Sequence, residues 1–307
     1  MTTPVSVASV PVGLLALDKP EGITSHGCVA AARRAMGTRK VGHAGTLDPM
    51  ATGVLLLGVG RGTRLLGHLA LHDKDYTATI RLGSSTITDD REGDLVSVAD
   101  AAVVAGISED GIRAGIIPLT GEIEQVPTAV SAIKVDGKRA HALVRAVEDV
   151  DLKARRVTVE RFDVVDIRRG DGCIDVDVEV TCSTGTYVRA LARDLGASLG
   201  VGGHLTSLRR TRVGAWTLSE CESWPVLTES DDARGLLVPL ADVARRSFPV
   251  VEVDEIGALW VRNGRPVREL LDRSPEDVTA ILGPEGVLLA LVGPSERGGT
   301  YLAVFVP

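Results

Sequence analysis

Residues 42–53 read GHAGTLDPMATG, so one carboxylate, Asp48, stands between glycines with His43 five residues before it and Pro49 directly after. The proline pushes the backbone of Asp48 toward extended conformations, and Gly45 and Gly53 remove side chains so that a bulky partner backbone can come close. An isolated Asp-Pro pair ordinarily only starts a turn. Presented from a rigid loop, an ionised carboxylate can also act as a nucleophile or a base. The four cysteines, Cys28, Cys173, Cys182 and Cys221, show no C-x-x-C spacing. The chain also lacks a Walker loop, a G-x-G-x-x-G turn opening a helix and a metal-ligand cluster, so neither cofactor nor metal is expected.

The elements that position these residues follow from capping and periodicity. GLLALDK reads as a short apolar strand leaving through the Lys19-Pro20 turn, and Thr24 and Ser25 cap a helix over CVAAARRAM that Gly37 closes. VLLLGVG from Val54 is a buried strand, with a helix after it, and Tyr76 opens a strand of period-2 alternation. CIDVDVEVTC alternates strictly as a half-exposed strand, and TYVRALARDLGASLG starts a helix with Arg189 in its first turn. From Val250 onward, VVEVDEIGALWVRNGRPV and GVLLALVGPSERGGTYLAVFVP read as short β segments broken by Gly and Pro. Strands and helices alternate without a repeated βαβ spacing, which predicts an α+β fold with a mixed, largely antiparallel sheet and flanking helices.

Charge decides between partner classes by its distribution. The net formal charge is −7 over 307 residues, which by itself argues against a polyanionic partner. Residues 31–64, however, hold Arg33, Arg34, Arg39, Lys40, Arg61 and Arg64 against Asp48 alone. Residues 187–214 hold Arg189, Arg193, Arg209, Arg210 and Arg212 against Asp194 alone, while acidity collects in runs such as TDDREGD and VEDVD. Two basic segments on an acidic chain suggest a nucleic-acid-binding face. No apolar run approaches a membrane span, and no basic region precedes the N-terminal apolar stretch as in a secretory signal, so a cytoplasmic protein without membrane contact is expected.

In this order along the chain, GLLALDKPEGITSH, GHAGTLDPMATGVLLLGVGRGT, DYTATIRLG, VPTAVSAIKVDGKRAH, CSTGTYVRALARDLG and GGHLTSLRRTRVG resemble the motifs of the bacterial tRNA pseudouridine-55 synthases, the TruB family. The resemblance spans roughly residues 12–215. It implies the pseudouridine synthase fold and isomerisation of a uridine in the tRNA T-arm, in which the C1′–N1 bond breaks, the uracil turns and C1′ joins C5. Asp48 matches the family's catalytic aspartate, Arg189 the arginine that orients it, and Tyr76 the tyrosine that stacks on the everted base. His43 matches a histidine near the entering nucleotide, Lys19 and Pro20 the turn beside the site, and Leu208 an apolar contact to the uracil, with Gly45 leaving room for substrate.

The resemblance further implies a T-arm stem-loop as partner, no cofactor and no protein partner, and the expected state is a monomer. Candidate contacts to the RNA backbone are Arg33, Arg34, Arg39, Lys40, Lys134, Lys138, Arg139, Arg209 and Arg210. They would hold the RNA while the target uridine leaves its stack, at a cost of roughly a few kcal/mol. Residues 1–11 are expected as a disordered tail, 12–246 as the catalytic domain with an RNA-contacting insertion at about 124–152, and 247–307 as a small PUA-like domain. Thr128-Ala129-Val130 and His141 depart from the aromatics that many members carry in that insertion. A non-catalytic tRNA-holding or folding factor is the alternative reading.

Overall fold

The computed structural model describes residues 10–128, 134–135, 138–139, 153–230, 232–271 and 273–306. The expected disordered tail lies almost wholly outside the described residues, as do most of the insertion and the side chains of Lys134, Lys138 and Arg139. The chain forms two compact units, one within Met1–Asp48, Val54–Ala70 and Gly214–Pro307, the other within Pro49–Gly53 and Leu71–Val213. It passes from the first unit to the second between Asp48 and Pro49, in the middle of the GTLDP motif.

The first unit opens with β1 (Gly13–Lys19) and α1 (Ser25–Met36). Thr24 caps the helix by accepting from the Gly27 N–H, and Gly37 ends it in the left-handed conformation, φ 63°, which glycine adopts without steric cost. β2 (Val41–Ala44) runs antiparallel to β3 (Thr52–Val59), and α2 (Leu66–Leu69) follows a 3₁₀ turn. The helix expected after β3 is therefore mostly this tight turn over Gly60–Arg64. Leu15, Leu17, Val29, Met36, Leu55 and Leu57 close the core between β1, β3 and α1. Each such side chain taken from water contributes about 1.5–3 kcal/mol.

The second unit is a sheet flanked by helices. Its elements are β4 (Lys74–Leu82), the hairpin β5 (Ser84–Thr86) and β6 (Leu95–Val98), α3 (Ala101–Ala105), α4 (Glu109–Ile116) and β7 (Gly121–Gln125). The short ladder β8 (Lys134–Val135) with β9 (Lys138–Arg139) follows, then β10 (Arg155–Gly170), β11 (Cys173–Cys182), α5 (Val188–Ser198) and β12 (Gly203–Val213). The strand order is β12-β4-β11-β10-β7 and every neighbour pair is antiparallel. The first residues of β3 add a short parallel contact, Thr52 beside Arg209 and Gly53 beside Arg210, which makes the sheet mixed. The alternation read from CIDVDVEVTC holds, with buried valines on one face and Asp175, Asp177 and Glu179 on the other. Across β10, β11 and β4 that second face is laced by Arg81–Asp175 (2.7 Å), Arg161–Glu179 (2.7 Å) and Arg168–Asp177 ion pairs.

Gly53 fixes how β3 meets β12. Its φ is +101°, and an added Cβ would lie 2.1 Å from the Arg210 carbonyl oxygen. Backbone cannot move aside as a side-chain tip can, so Gly53→Ala is expected to destabilise the protein by more than about 2 kcal/mol. Urea unfolding measures this, and a midpoint within error of wild type would show that the close approach is not needed.

The first unit resumes with β13 (Trp216–Thr217), α6 (Trp224–Glu229) and α7 (Leu240–Ser247). β14 (Val250–Glu252), α8 (Glu255–Arg262), β15 (Thr279–Leu282), β16 (Leu288–Gly293) and β17 (Thr300–Val304) complete it, and the sheet order is β14-β15-β16-β17. The C-terminal part is β-rich, but residues 255–262, expected within a β segment, are helical. Asp254 caps this helix by accepting from the Gly257 N–H, and Gly257, Ala258 and Val261 form its buried face. A capped 3.6-residue period thus overrides the β-branched composition around it. Arg61 and Arg64 reach across to donate to the carbonyls of Phe305 and Val304.

Candidate active site

On the first unit the aspartate loop is held through its backbone. Ser25, the first residue of α1 and 1% exposed, accepts from the Leu47 N–H at 2.8 Å and donates to the Leu47 carbonyl at 3.0 Å. One hydroxyl thereby clasps both polar groups of the residue preceding Asp48, and both partners are buried, where an unmade hydrogen bond is costly. Ser25, expected as part of the helix cap, leaves capping to Thr24. Asp48 itself is half-buried. His43, on β2, meets His26 of α1 edge-to-face with ring centroids 5.4 Å apart. Lys19 is fully buried at the end of β1 and donates to the Pro20 carbonyl at 3.0 Å, a contact within the turn. Arg33, Arg34, Arg39 and Lys40 are all exposed.

On the second unit the loop continues through Met50, whose N–H donates to the Glu92 carboxylate at 3.3 Å. Tyr76, 7% exposed, lies on the buried face of β4 between Val180 of β11 and Arg210 of β12. Leu208 is 6% exposed two residues before Arg210. Arg209 donates to the Thr52 hydroxyl at 3.2 Å, whereas Arg210 is 1% exposed and does not present its guanidinium to solvent. Lys74 shares the Tyr76 face, and burial followed by the charge of Arg210 pushes its ammonium down to about 8. Buried cations this close create positive potential around Tyr76, which favours an anionic group such as a carboxylate or phosphate.

Arg189 is held by a turn. It lies at the start of α5, 5% exposed, donates to the Thr88 carbonyl at 2.7 Å and pairs with Asp90 at 3.5 Å. Asp90 accepts in turn from the Thr88 hydroxyl at 2.5 Å and from the Glu92 N–H at 3.0 Å. The helix itself is anchored because the buried Gln125 amide accepts from the Tyr187 N–H at 2.8 Å and donates to the Tyr187 carbonyl at 3.1 Å.

A profile described as TruB family pseudouridylate synthase, N-terminal domain, matches residues 33–188. A second, the tRNA pseudouridylate synthase B C-terminal domain, matches residues 189–230. The chain belongs to the TruB family of pseudouridylate synthases. Curated TruB relatives named tRNA pseudouridine synthase B include one from Cutibacterium acnes, 56% identical over 96% of this chain and 97% of its own, and one from Rhodococcus jostii, 53% identical over 97% and 94%. The solved structure of a Cbf5-Nop10-Gar1 complex has the same fold with a TM-score of 0.69 at 26% identity, over 97% of this chain and 84% of that one. The TruB-family protein is thus an enzyme with the pseudouridine synthase fold, and its sheet, flanking helices and β-rich C-terminal part agree with the architecture expected from sequence.

Four residues that hold this TruB site were not singled out in the sequence: Ser25 as a clasp, Asp90 and Glu92 in the TDDREGD run, and Gln125. The acidic run entered the sequence reading only as part of the charge distribution, yet Thr88 followed two residues later by Asp90 is the pattern of a side chain closing its own turn. Gln125 carries no such local signal. Among the described residues no cluster of His, Cys, Asp and Glu could hold a metal, and no helix is long and apolar enough to cross a membrane.

Proposed function

We propose that this protein converts the uridine at position 55 in the T-arm of tRNA into pseudouridine, with Asp48 as the reacting carboxylate. Asp48 attacks C1′ or takes a sugar proton as the C1′–N1 bond breaks and the uracil turns; C5 then joins C1′ as the Asp48–C1′ bond breaks or the sugar proton is returned, N1 gains a proton and C5 loses one. The observation that carries the reading is the double hold on the aspartate loop, at Leu47 by Ser25 and at Met50 by Glu92, since a catalytic group must be fixed near its productive geometry. Relatives named tRNA pseudouridine synthase B at 53–56% identity over nearly their whole length support the tRNA substrate.

Tyr76 stacks on the everted uracil with Leu208 as the apolar contact, and His43 occupies the space the base leaves. Arg189 orients Asp48, while Lys19, Pro20 and Gly45 shape the loop and its approach. The exposed Arg33, Arg34, Arg39 and Lys40, together with Arg209 and the insertion residues Lys134, Lys138 and Arg139, contact the RNA backbone. Arg210, buried beside Tyr76 on the neighbouring strand, contributes to the site's potential instead. Residues 247–307 act as a PUA-like RNA contact, and the enzyme works as a monomer in the cytoplasm without a cofactor.

The test uses T-arm RNA tritiated at C5 of uridine, since the C5 proton leaves during the rearrangement. Tritium release together with pseudouridine mapped to position 55 is expected. Tight binding of the RNA with no release would instead favour a tRNA-holding factor.

A further inference from the structure

α5 carries Arg193 as well as Arg189, one turn apart and on the same side of the helix. Arg193 has no part in the proposed chemistry, yet it makes three contacts. Its Nε lies 2.8 Å from Asp194 Oδ1, its Nη1 3.4 Å from Asp89 Oδ2, and its Nη2 donates to the Val126 carbonyl at 2.8 Å. Asp89 is 8% exposed and has φ 58°, a left-handed conformation that a non-glycine residue keeps only when its surroundings enforce it.

The turn is therefore stretched between two arginines of one helix. Thr88 and Asp90 are held by Arg189, and Asp89, between them, by Arg193. The Asp89 carbonyl also accepts from Leu205 N–H of β12 at 3.0 Å, so the middle residue cannot swing out without losing both ties. The end of β7 touches the same helix twice, through Gln125 on the backbone of Tyr187 and through the Val126 carbonyl on Arg193.

We propose that Arg193 is a positioning residue: by binding Asp89 and the Val126 carbonyl together, it holds the Thr88–Asp90 turn in the shape that keeps Arg189 oriented for the reaction. The tie needs Asp89 ionised. Burial pushes the Asp89 carboxyl up to about 6. Arg193 and then Arg189 pull it down, and Asp194 and Asp90 push it up; these are the charged groups that face it. The clamp is closed above that pH and opens as the proton binds below it. Removing Arg193 takes away the larger of the two downward pulls and, with it, the tie that the proton opens.

The inference rests on the isomerase reading, and the experiment separates the two. The rate of pseudouridine formation on T-arm RNA is followed from pH 5 to 8 for the wild type, Arg193→Gln and Asp89→Asn, with thermal unfolding of each. The wild type should show an acid limb near the Asp89 transition. Arg193→Gln should lower kcat near neutrality by about tenfold, in the range of coupling between groups in contact, leave KM for the RNA unchanged and flatten the acid limb, since the tie that the proton opens is already gone. Asp89→Asn should remove that limb. A role confined to stability would lower the unfolding temperature but leave the limb in place, and would overturn the proposal. If Arg193→Gln does not fold, Asp89→Asn decides alone, because an acid limb identical to that of the wild type overturns the clamp. No product from the wild type at any pH would sink the isomerase reading, and the clamp with it.

Discussion

Asp48→Asn should abolish pseudouridine formation while leaving RNA binding intact. The substitution keeps the shape of the side chain and removes the charge and the nucleophilic oxygen, so the rate should fall by at least about 10⁴-fold, as when an acting catalytic group is removed. Binding should stay within about threefold of wild type and shift toward tighter, since a carboxylate facing phosphates repels them. The unfolding midpoint should change little, because the loop is held by backbone contacts to Leu47 and Met50. Single-turnover assays on T-arm RNA, with filter binding alongside, would measure both. Residual turnover within tenfold of wild type would remove Asp48 from the chemistry and leave the loop as a positioning feature.

Arg189→Leu is expected to damage folding and turnover together. Asp90 is almost fully buried beside it, and the Thr88 carbonyl loses a donor at 2.7 Å. Taking away one member of a buried pair leaves an uncompensated charge, at a cost of about 3–5 kcal/mol. Adding Asp90→Asn removes that charge, so the double variant should regain a substantial part of the lost stability. It should not regain activity, since the proposed role of Arg189 toward Asp48 is still missing. A single variant that unfolds within about 1 kcal/mol of wild type, the size of an exposed pair, would mean that the turn relaxes and hydrates Asp90.

What sequence made legible was what local rules encode. The Thr24 cap and Gly37 stop of α1, the alternation along β11 and the start of α5 with Arg189 in its first turn all depend on neighbours a few residues away, and all are present. The helix at Glu255–Arg262 was missed although Asp254 and Gly257 carry a local capping signal, because valines on either side dominated the reading. The supports of the site were hidden for a different reason. Ser25 and Leu47 are 22 residues apart, Met50 and Glu92 42, and Arg189 and Thr88 101. No periodicity in a single chain encodes such pairings. The residues proposed to carry the chemistry could be named from the motifs of the family they resemble, while the residues that hold them became visible only through tertiary contacts.

The division of the chain also sets an order of assembly. The second unit is nearly continuous in sequence, whereas the first is closed by its two ends: Leu14 pairs with Val238 in both directions, and Ala16 and Asp18 with Glu222. A ribosome adding ~5–20 residues per second delivers those partners on the order of ten seconds or more after β1 has emerged. For that interval β1 has an unpaired flank and the apolar run LLAL, features that promote pairing with other chains. The middle unit can meanwhile complete its antiparallel sheet, so the nascent chain should have the strands around Tyr76 and the helix carrying Arg189 in place before the second flank of β1 is paired. Truncations ending before residue 222 should therefore retain a protease-resistant core within residues 71–213 and aggregate through their N-terminal strand.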